Sequence, residues 1–102
     1  MKMRSEWTSN AFNYYIEEET NPCAHIGFKL INDGKTYVVE HTLVPSEYRG
    51  RGLAGKITTD FLQQIRDKGS TVLPLCPFTR SFFEQHPEYN DLLISKNGDE
   101  PK

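Results

Sequence analysis

Hydrophobic and polar residues alternate through the first half of the chain, and then the period changes. In "AFNYYIEE", Phe12, Tyr14 and Ile16 alternate with polar or amphipathic neighbours, the rhythm of a half-buried strand. "AHIGFKLI" repeats it with Ala24, Ile26, Phe28 and Leu30. "NDGK" follows, and Asp33-Gly34 is a strong tight-turn signal. "TYVVEHTLV", rich in β-branched and aromatic residues, is the predicted return strand. Strict alternation puts His41 on the face of Tyr37, Val39 and Leu43. The first half is therefore expected to be an antiparallel meander.

Pro45 ends the last of these strands, and a glycine-rich stretch comes next. From about Arg51, Leu53, Ile57, Phe61, Leu62 and Ile65 fall at helical spacing and give one apolar face. Lys68 suits the negative end of that helix, and Gly69 is a natural left-handed stop. "STVLPLC" is a short apolar strand reached through the helix, so it is expected to lie parallel to the strand before the loop. "PFTRSFFEQHPEYNDLL" predicts a second helix interrupted near Pro87. The order is β-β-β-loop-α-β-α: a mixed sheet packed by two helices, on the border between α+β and α/β. The ordered core is expected over about residues 10–94, with a loose polar tail, "SKNGDEPK", over 95–102.

A length of 102 residues predicts one domain spanning the chain. Twelve Lys plus Arg stand against 14 Asp plus Glu, which argues against a nucleic-acid binder held by bulk positive charge. No apolar run approaches membrane-spanning length, so no membrane partner is expected. "MKMRSEWTSN" does not read as a signal peptide. Cys23 and Cys76 form no C-x-x-C pair, and free thiols in a cytoplasmic setting are the expectation. His25 and His86 have no ligand-spaced partners, so no metal site is predicted. No large apolar patch demands a second copy, and a monomer is expected.

The chemistry concentrates in "EYRGRGLAGK", Glu47 to Lys56, which touches three phosphate-binding patterns. Gly50, Gly55 and Lys56 come near the triphosphate loop, but Ile57 stands where a Mg²⁺-holding hydroxyl is needed. Gly50, Gly52 and Gly55 make G-x-G-x-x-G, yet the dinucleotide reading wants a carboxylate about 20 residues on, where "STVLPLC" has none. Arg49, Gly52 and Ala54 satisfy the Arg/Gln-x-x-Gly-x-Gly/Ala pattern of an acyl-CoA pyrophosphate loop, with a strand before it and a helix after it. The first N–H groups of a helix have no partners within it, and the helix dipole adds positive potential there. Glycines let a pyrophosphate approach the backbone closely, and Arg49, Arg51 and Lys56 add positive charge.

Arg49-Gly50-Arg51-Gly52-Leu53-Ala54 after "HTLVP" resembles motif A of the GNAT acetyltransferases. The chain is similar to a small single-domain branch of that superfamily. That branch shares a His-Thr pair late in the strand before the loop, here His41-Thr42, and a cysteine at the end of the next strand, here Cys76. The resemblance runs from about Phe12 to Leu92. It implies a truncated GNAT-like fold in which the strands "TYVVEHTLV" and "TVLPLC" splay apart, with the acetyl group in the gap and the pantetheine arm along one edge. It also implies acetyl-CoA or CoA as cofactor. The binding residues would be Leu43, Val44, Arg49, Gly50, Arg51, Gly52, Leu53, Ala54, Gly55 and Lys56. The implied activity is acetyl transfer to an amine of a protein or small molecule. The alternative is a CoA-binding module without robust transfer. No pair of helices lies between the first strands, and Phe82-Phe83 stands where a tyrosine acid is common in the superfamily.

Cys76 and His41 are the candidate catalytic residues. With the resemblance, Cys76 is read as a nucleophile that accepts the acetyl group, the alternative being a small apolar lining residue. His41 is a structural residue or a base, serving either Cys76 or an incoming amine.

Overall fold

The structure, a computed structural model, describes residues 2–94; the expected polar tail over 95–102 lies outside the described residues. Five strands form one sheet in the order β1-β2-β3-β4-β5: β1 (Met3–Trp7), β2 (Ala11–Ile16), β3 (Ala24–Ile31), β4 (Thr36–Leu43) and β5 (Thr71–Pro74). The first four pair antiparallel and β5 adds parallel to β4. Helix α1 (Leu53–Lys68) joins β4 to β5, and α2 (Pro77–Gln85) follows β5. Short 3₁₀ segments at Ser46–Tyr48 and Pro87–Leu92 complete the path.

The expected meander, crossover helix and parallel strand are all present, and the sheet gains a strand ahead of them. β1 escapes the alternation rule because only its end residues, Met3 and Trp7, are even half-buried; Arg4, Ser5 and Glu6 are exposed. It is held by pairing with β2 and by the Trp7 indole, whose ring lies 4.5 Å from Phe12 and 5.4 Å from Phe61. Phe28 and Tyr37 close the aromatic cluster. Such rings bury large areas and pair favourably at these spacings. Ile57, Phe61, Leu62 and Ile65, the predicted apolar face of α1, are buried against it. Gly69 caps the helix in the left-handed conformation, as its position predicts.

Asn32, Asp33 and Gly34 turn the β3–β4 hairpin with consecutive positive φ angles. Further along this hairpin the pairing slips. Phe28 faces Val39 while Gly27 faces His41, so Glu40 is an extra residue on β4, a β-bulge. A bulge reverses the alternation beyond it. Val39 stays on the helix-covered face, but Thr42, paired with buried Ile26, takes that face next. His41 and Leu43 turn to the opposite, open face. The expectation that His41 shares a face with Tyr37 and Val39 is corrected by this one inserted residue.

β5 is shorter than β4 and pairs only as far as Val39 with Pro74. The next amides, Leu75 and Cys76, both donate to the Val39 carbonyl, at 2.9 and 3.0 Å. From Glu40 to Leu43, β4 keeps β3 on one side but no strand on the other among the described residues. The splayed pair implied by the resemblance is therefore present. On the far edge of β5 the chain returns, with Val72 bridged to Leu93.

Candidate functional site

Beyond the splay, the chain folds the glycine stretch into the start of α1. Gly50 and Gly52 adopt φ angles of 83° and 75°, a region that residues with a Cβ enter only under strain. Gly52 is the N-cap of α1, so no side chain caps the helix, and its first intrahelical bond runs from Lys56 N–H to the Gly52 carbonyl. The amides of Leu53, Ala54 and Gly55 are thus left without helical partners, and no acidic residue occupies the first turn. They open into a cleft of about 420 Å³, bounded by Val44, Gly52 and Ala54 on one side and by Phe78, Phe82 and His86 of the α2 region on the other. Ideal Cβ positions at Gly50, Gly52 and Gly55 meet no heavy atom within 4 Å, so the backbone is bare there. A diphosphate needs this arrangement: free amides, a positive helix end and no side chain in the way.

The surrounding charges divide. Arg49 lines the cleft and ties the loop to the end of β4, its Nε donating to the Val44 carbonyl at 2.9 Å. Lys56 lines the adjoining cavity with Tyr14 and Asp60. Arg51 lies over the Tyr48 ring at 5.8 Å and is outside the cleft lining. Leu43 is 55 % exposed on the open face, away from the cleft; of the two expected binding residues at the end of β4, Val44 alone lines it.

Cys76 sits two residues past β5 as the N-cap of α2, slightly later than the strand-end position expected, and is buried. Its Sγ lies 3.6 Å from Thr42 Oγ1 across the splay. Burial pushes the thiol up, but donors outweigh it and bring it below the usual cysteine range: the Thr79 amide, the Thr42 and Thr79 hydroxyls and the Phe78 amide. Cys76 makes no formal capping hydrogen bond; its sulfur lies in the field of these amides at the start of the helix. The buried Thr79 hydroxyl has no other partner and is free to turn its hydrogen toward the sulfur.

The structure does not bring His41 and Cys76 together. On the open face His41 instead meets His25, Nε2 to Nε2 at 3.0 Å, and His25 Nδ1 lies 2.6 Å from Asn13 Oδ1. Burial first, and the neighbouring His41 second, hold His25 below the ordinary imidazole range. This cross-strand contact depends on the bulge, and no spacing along the chain announces it. The lining from α2 was more accessible to sequence reasoning: Phe78, Phe82 and His86 recur every four residues and form one helical stripe, which the cleft uses. Tyr14 and Asp60 were not read as site residues either; the phenol donates to Asp60 Oδ2 at 2.7 Å, midway along α1. Cys23 is fully buried, its sulfur 4.0 Å from that of Met3 and its amide donating to the Tyr14 carbonyl at 2.8 Å. Among the described residues no group of three or more His, Cys, Asp or Glu side chains assembles that could hold a metal ion, and no helix is long and apolar enough to cross a membrane.

Comparison with known proteins bears on the family and the fold. Residues 11–92 match the family model described as GCN5-related N-acetyl-transferase. The fold is similar to the NMR structure of a GCN5-like protein from Staphylococcus aureus, with TM-score 0.69 and 22 % identity, covering 90 % of this chain and 88 % of that one. A crystal structure of a GNAT-family protein from Staphylococcus aureus subsp. aureus aligns with TM-score 0.49 and 18 % identity over 65 % of this chain and 56 % of that one.

Proposed function

Because the chain belongs to the GCN5-related N-acetyltransferase family, we propose that it binds acetyl-CoA in the cleft at the amino end of α1 and transfers the acetyl group to an amine. The observation that carries this reading is the meeting, at one end of the sheet, of unpartnered helix amides with a β4 edge left open from Glu40 to Leu43. The residues present fit the cofactor: bare backbone at Gly50, Gly52 and Gly55 suits the diphosphate, and the open strand edge suits the amides of a pantetheine arm.

Bound acetyl-CoA would supply an acetyl group already activated as a thioester. The protein's part is binding, orientation and proton handling. The amides of Leu53, Ala54 and Gly55 would hold the diphosphate, and Arg49 and Lys56 would neutralise it. Arg51, exposed at the loop, would add positive charge beside the cleft. Val44, Phe78 and Phe82 give the arm an apolar wall. The gap between β4 and β5 has two sides. Thr42 and Cys76 stand on the helix-covered side, and His41 stands on the open side, from which an amine approaches and gives up its proton.

A second reading makes Cys76 a transient acetyl carrier, favoured by its lowered thiol and its place at the gap. Without an imidazole neighbour, Cys76 would depend on Thr42, Thr79 and the α2 amides for activation. The free cysteines fit the cytoplasmic setting that this function assumes.

Calorimetric titration with CoA, followed by acetyl-CoA turnover on an amine panel, tests the proposal. Saturable binding with CoA release in the presence of an amine is expected. Binding without release on any amine, and without an acetyl group on Cys76, would reduce the protein to a CoA-binding module; absence of binding would overturn both readings.

A further inference from the structure

We infer that Asn13 and His25 fix the tautomer of His41, so that His41 Nδ1 is the nitrogen that takes the proton from the acceptor amine. The inference rests on the acetyltransferase reading for the amine, but its hydrogen-bond logic stands on three side chains of the open sheet face.

Asn13 is 7 % exposed and presents Oδ1 to His25 Nδ1 at 2.6 Å, while its Nδ2 turns toward the Tyr15 hydroxyl at 3.4 Å. An amide oxygen only accepts, so His25 Nδ1 carries the hydrogen and the neutral ring has its lone pair on Nε2. That lone pair faces His41 Nε2 at 3.0 Å. His41 must therefore carry its hydrogen on Nε2, which leaves Nδ1 as its basic atom. A second observation shows that the place is built for the ring. A Cβ on Gly27 would stand 2.3 Å from His41 Cε1 and Nε2, so the imidazole lies flat on a strand position that has no side chain. The two rings are nearly parallel, at 19°, with centroids 5.0 Å apart, so they meet edge to edge through these nitrogens.

The rest of this face leaves the pair undisturbed. β1 contributes Arg4 and Glu6, paired with each other at 3.2 Å, with Arg4 also over the Tyr15 ring of β2. β3 contributes Lys29 and β4 contributes Glu40, paired at 3.9 Å. β5, Thr71–Pro74, contributes no titratable side chain. Burial disfavours the charged form of His25, so His25 stays the neutral acceptor of the pair. In the transfer, an N–H bond of the acceptor ammonium breaks and a His41 Nδ1–H bond forms. The amine lone pair is freed for attack on the acetyl carbonyl, and the thioester C–S bond would then break with CoA leaving as the thiolate. The imidazolium keeps its Nε2–H bond to neutral His25, and His41, exposed, passes the proton to water.

Long-range ¹H–¹⁵N NMR of the histidine rings tests this directly, without any cofactor. The expected spectrum has His25 protonated at Nδ1 and His41 at Nε2 above the titration range. His41 protonated at Nδ1 would overturn the inference whatever the enzyme activity, as would His25 protonated at Nε2. In His25→Leu the tautomer preference of His41 is expected to be lost, with roughly tenfold to a hundredfold less kcat/KM, within the range that general-base catalysis supplies. The acid limb of the pH profile is also expected to move, whereas a merely structural lesion lowers every pH equally. His25→Gln, which keeps an acceptor in place, should rescue most of the loss; failure to do so would count against the positioning role. Gly27→Ala should remain folded and yet show the His25→Leu phenotype. Correct tautomers without turnover on any amine would refute the acetyltransferase reading and the amine's part in this inference, and leave the tautomer chain standing.

Discussion

The Cys76 amide donates to the Val39 carbonyl at 3.0 Å, and beyond this bond β4 and β5 share no backbone pairing among the described residues. One contact therefore does two things. It ends the parallel ladder, which leaves the β4 edge open, and it places the Cys76 sulfur at the first turn of α2, opposite Thr42.

Gly52→Val should weaken CoA binding by more than tenfold, about 1.4 kcal/mol or more by affinity arithmetic. The new side chain meets no protein atom, so the obstruction is to the ligand. The positive φ adds a folding cost of about 1–3 kcal/mol. Gly69→Val places the same strain at the other end of α1, where φ is 71°, and should destabilise without changing CoA affinity. Calorimetry together with thermal unfolding separates the two effects.

Thr42→Val should raise the titration of the Cys76 thiol, because it removes a hydroxyl that stabilises the thiolate. Burial raises the Cys23 thiol, so in the wild-type chain Cys76 should ionise first. A thiol held low in the folded chain contributes stability above the ordinary cysteine value, and that contribution is lost as pH falls through the folded value. Ultraviolet thiolate absorbance in a Cys23→Ala background follows the titration; an unmoved curve in Thr42→Val would remove Thr42 from the account.

Tyr14→Phe should cost about 1 kcal/mol at neutral pH, the net worth of one hydrogen bond. Burial, followed by the hydrogen bond to Asp60, pushes the Tyr14 phenol up. The folded chain thus keeps the phenol neutral where the unfolded chain ionises it. The stability from Tyr14 is complete below about pH 10 and declines as the pH rises above that. Urea unfolding across the alkaline range should show this decline in the wild type and less of it in Tyr14→Phe.

Trp7→Ala should cost about 3 kcal/mol, toward the low end for a buried aromatic because Trp7 is only half-buried. It removes ring contacts to Phe12 and Phe61, the bond from Nε1 to Gln64 Oε1 at 2.9 Å and the seat of the Lys68 ammonium 4.0 Å from the ring. Urea midpoints measure it; a cost under 1 kcal/mol, the level of an ordinary surface substitution, would show that β1 is dispensable to the core.

Local patterns carried the strands β2 to β4, the Asp33-Gly34 turn, the apolar face and glycine stop of α1, and the bare helix start at Gly52. Each depends on residues near one another along the chain, where period, turn chemistry and capping operate. β1 was not legible because pairing and one indole hold it rather than an apolar stripe.

What the chain by itself determined was a strand, a glycine turn and a helix in the order that presents unpartnered amides, since backbone geometry follows from the residues at the turn. Only the tertiary structure decided which groups face the gap. The inserted Glu40 reverses every side chain after it, sending Thr42 to Cys76 and His41 to His25. Alternation has a period of two residues, so a single extra residue exchanges the faces, and the need for one is set by the partner strand.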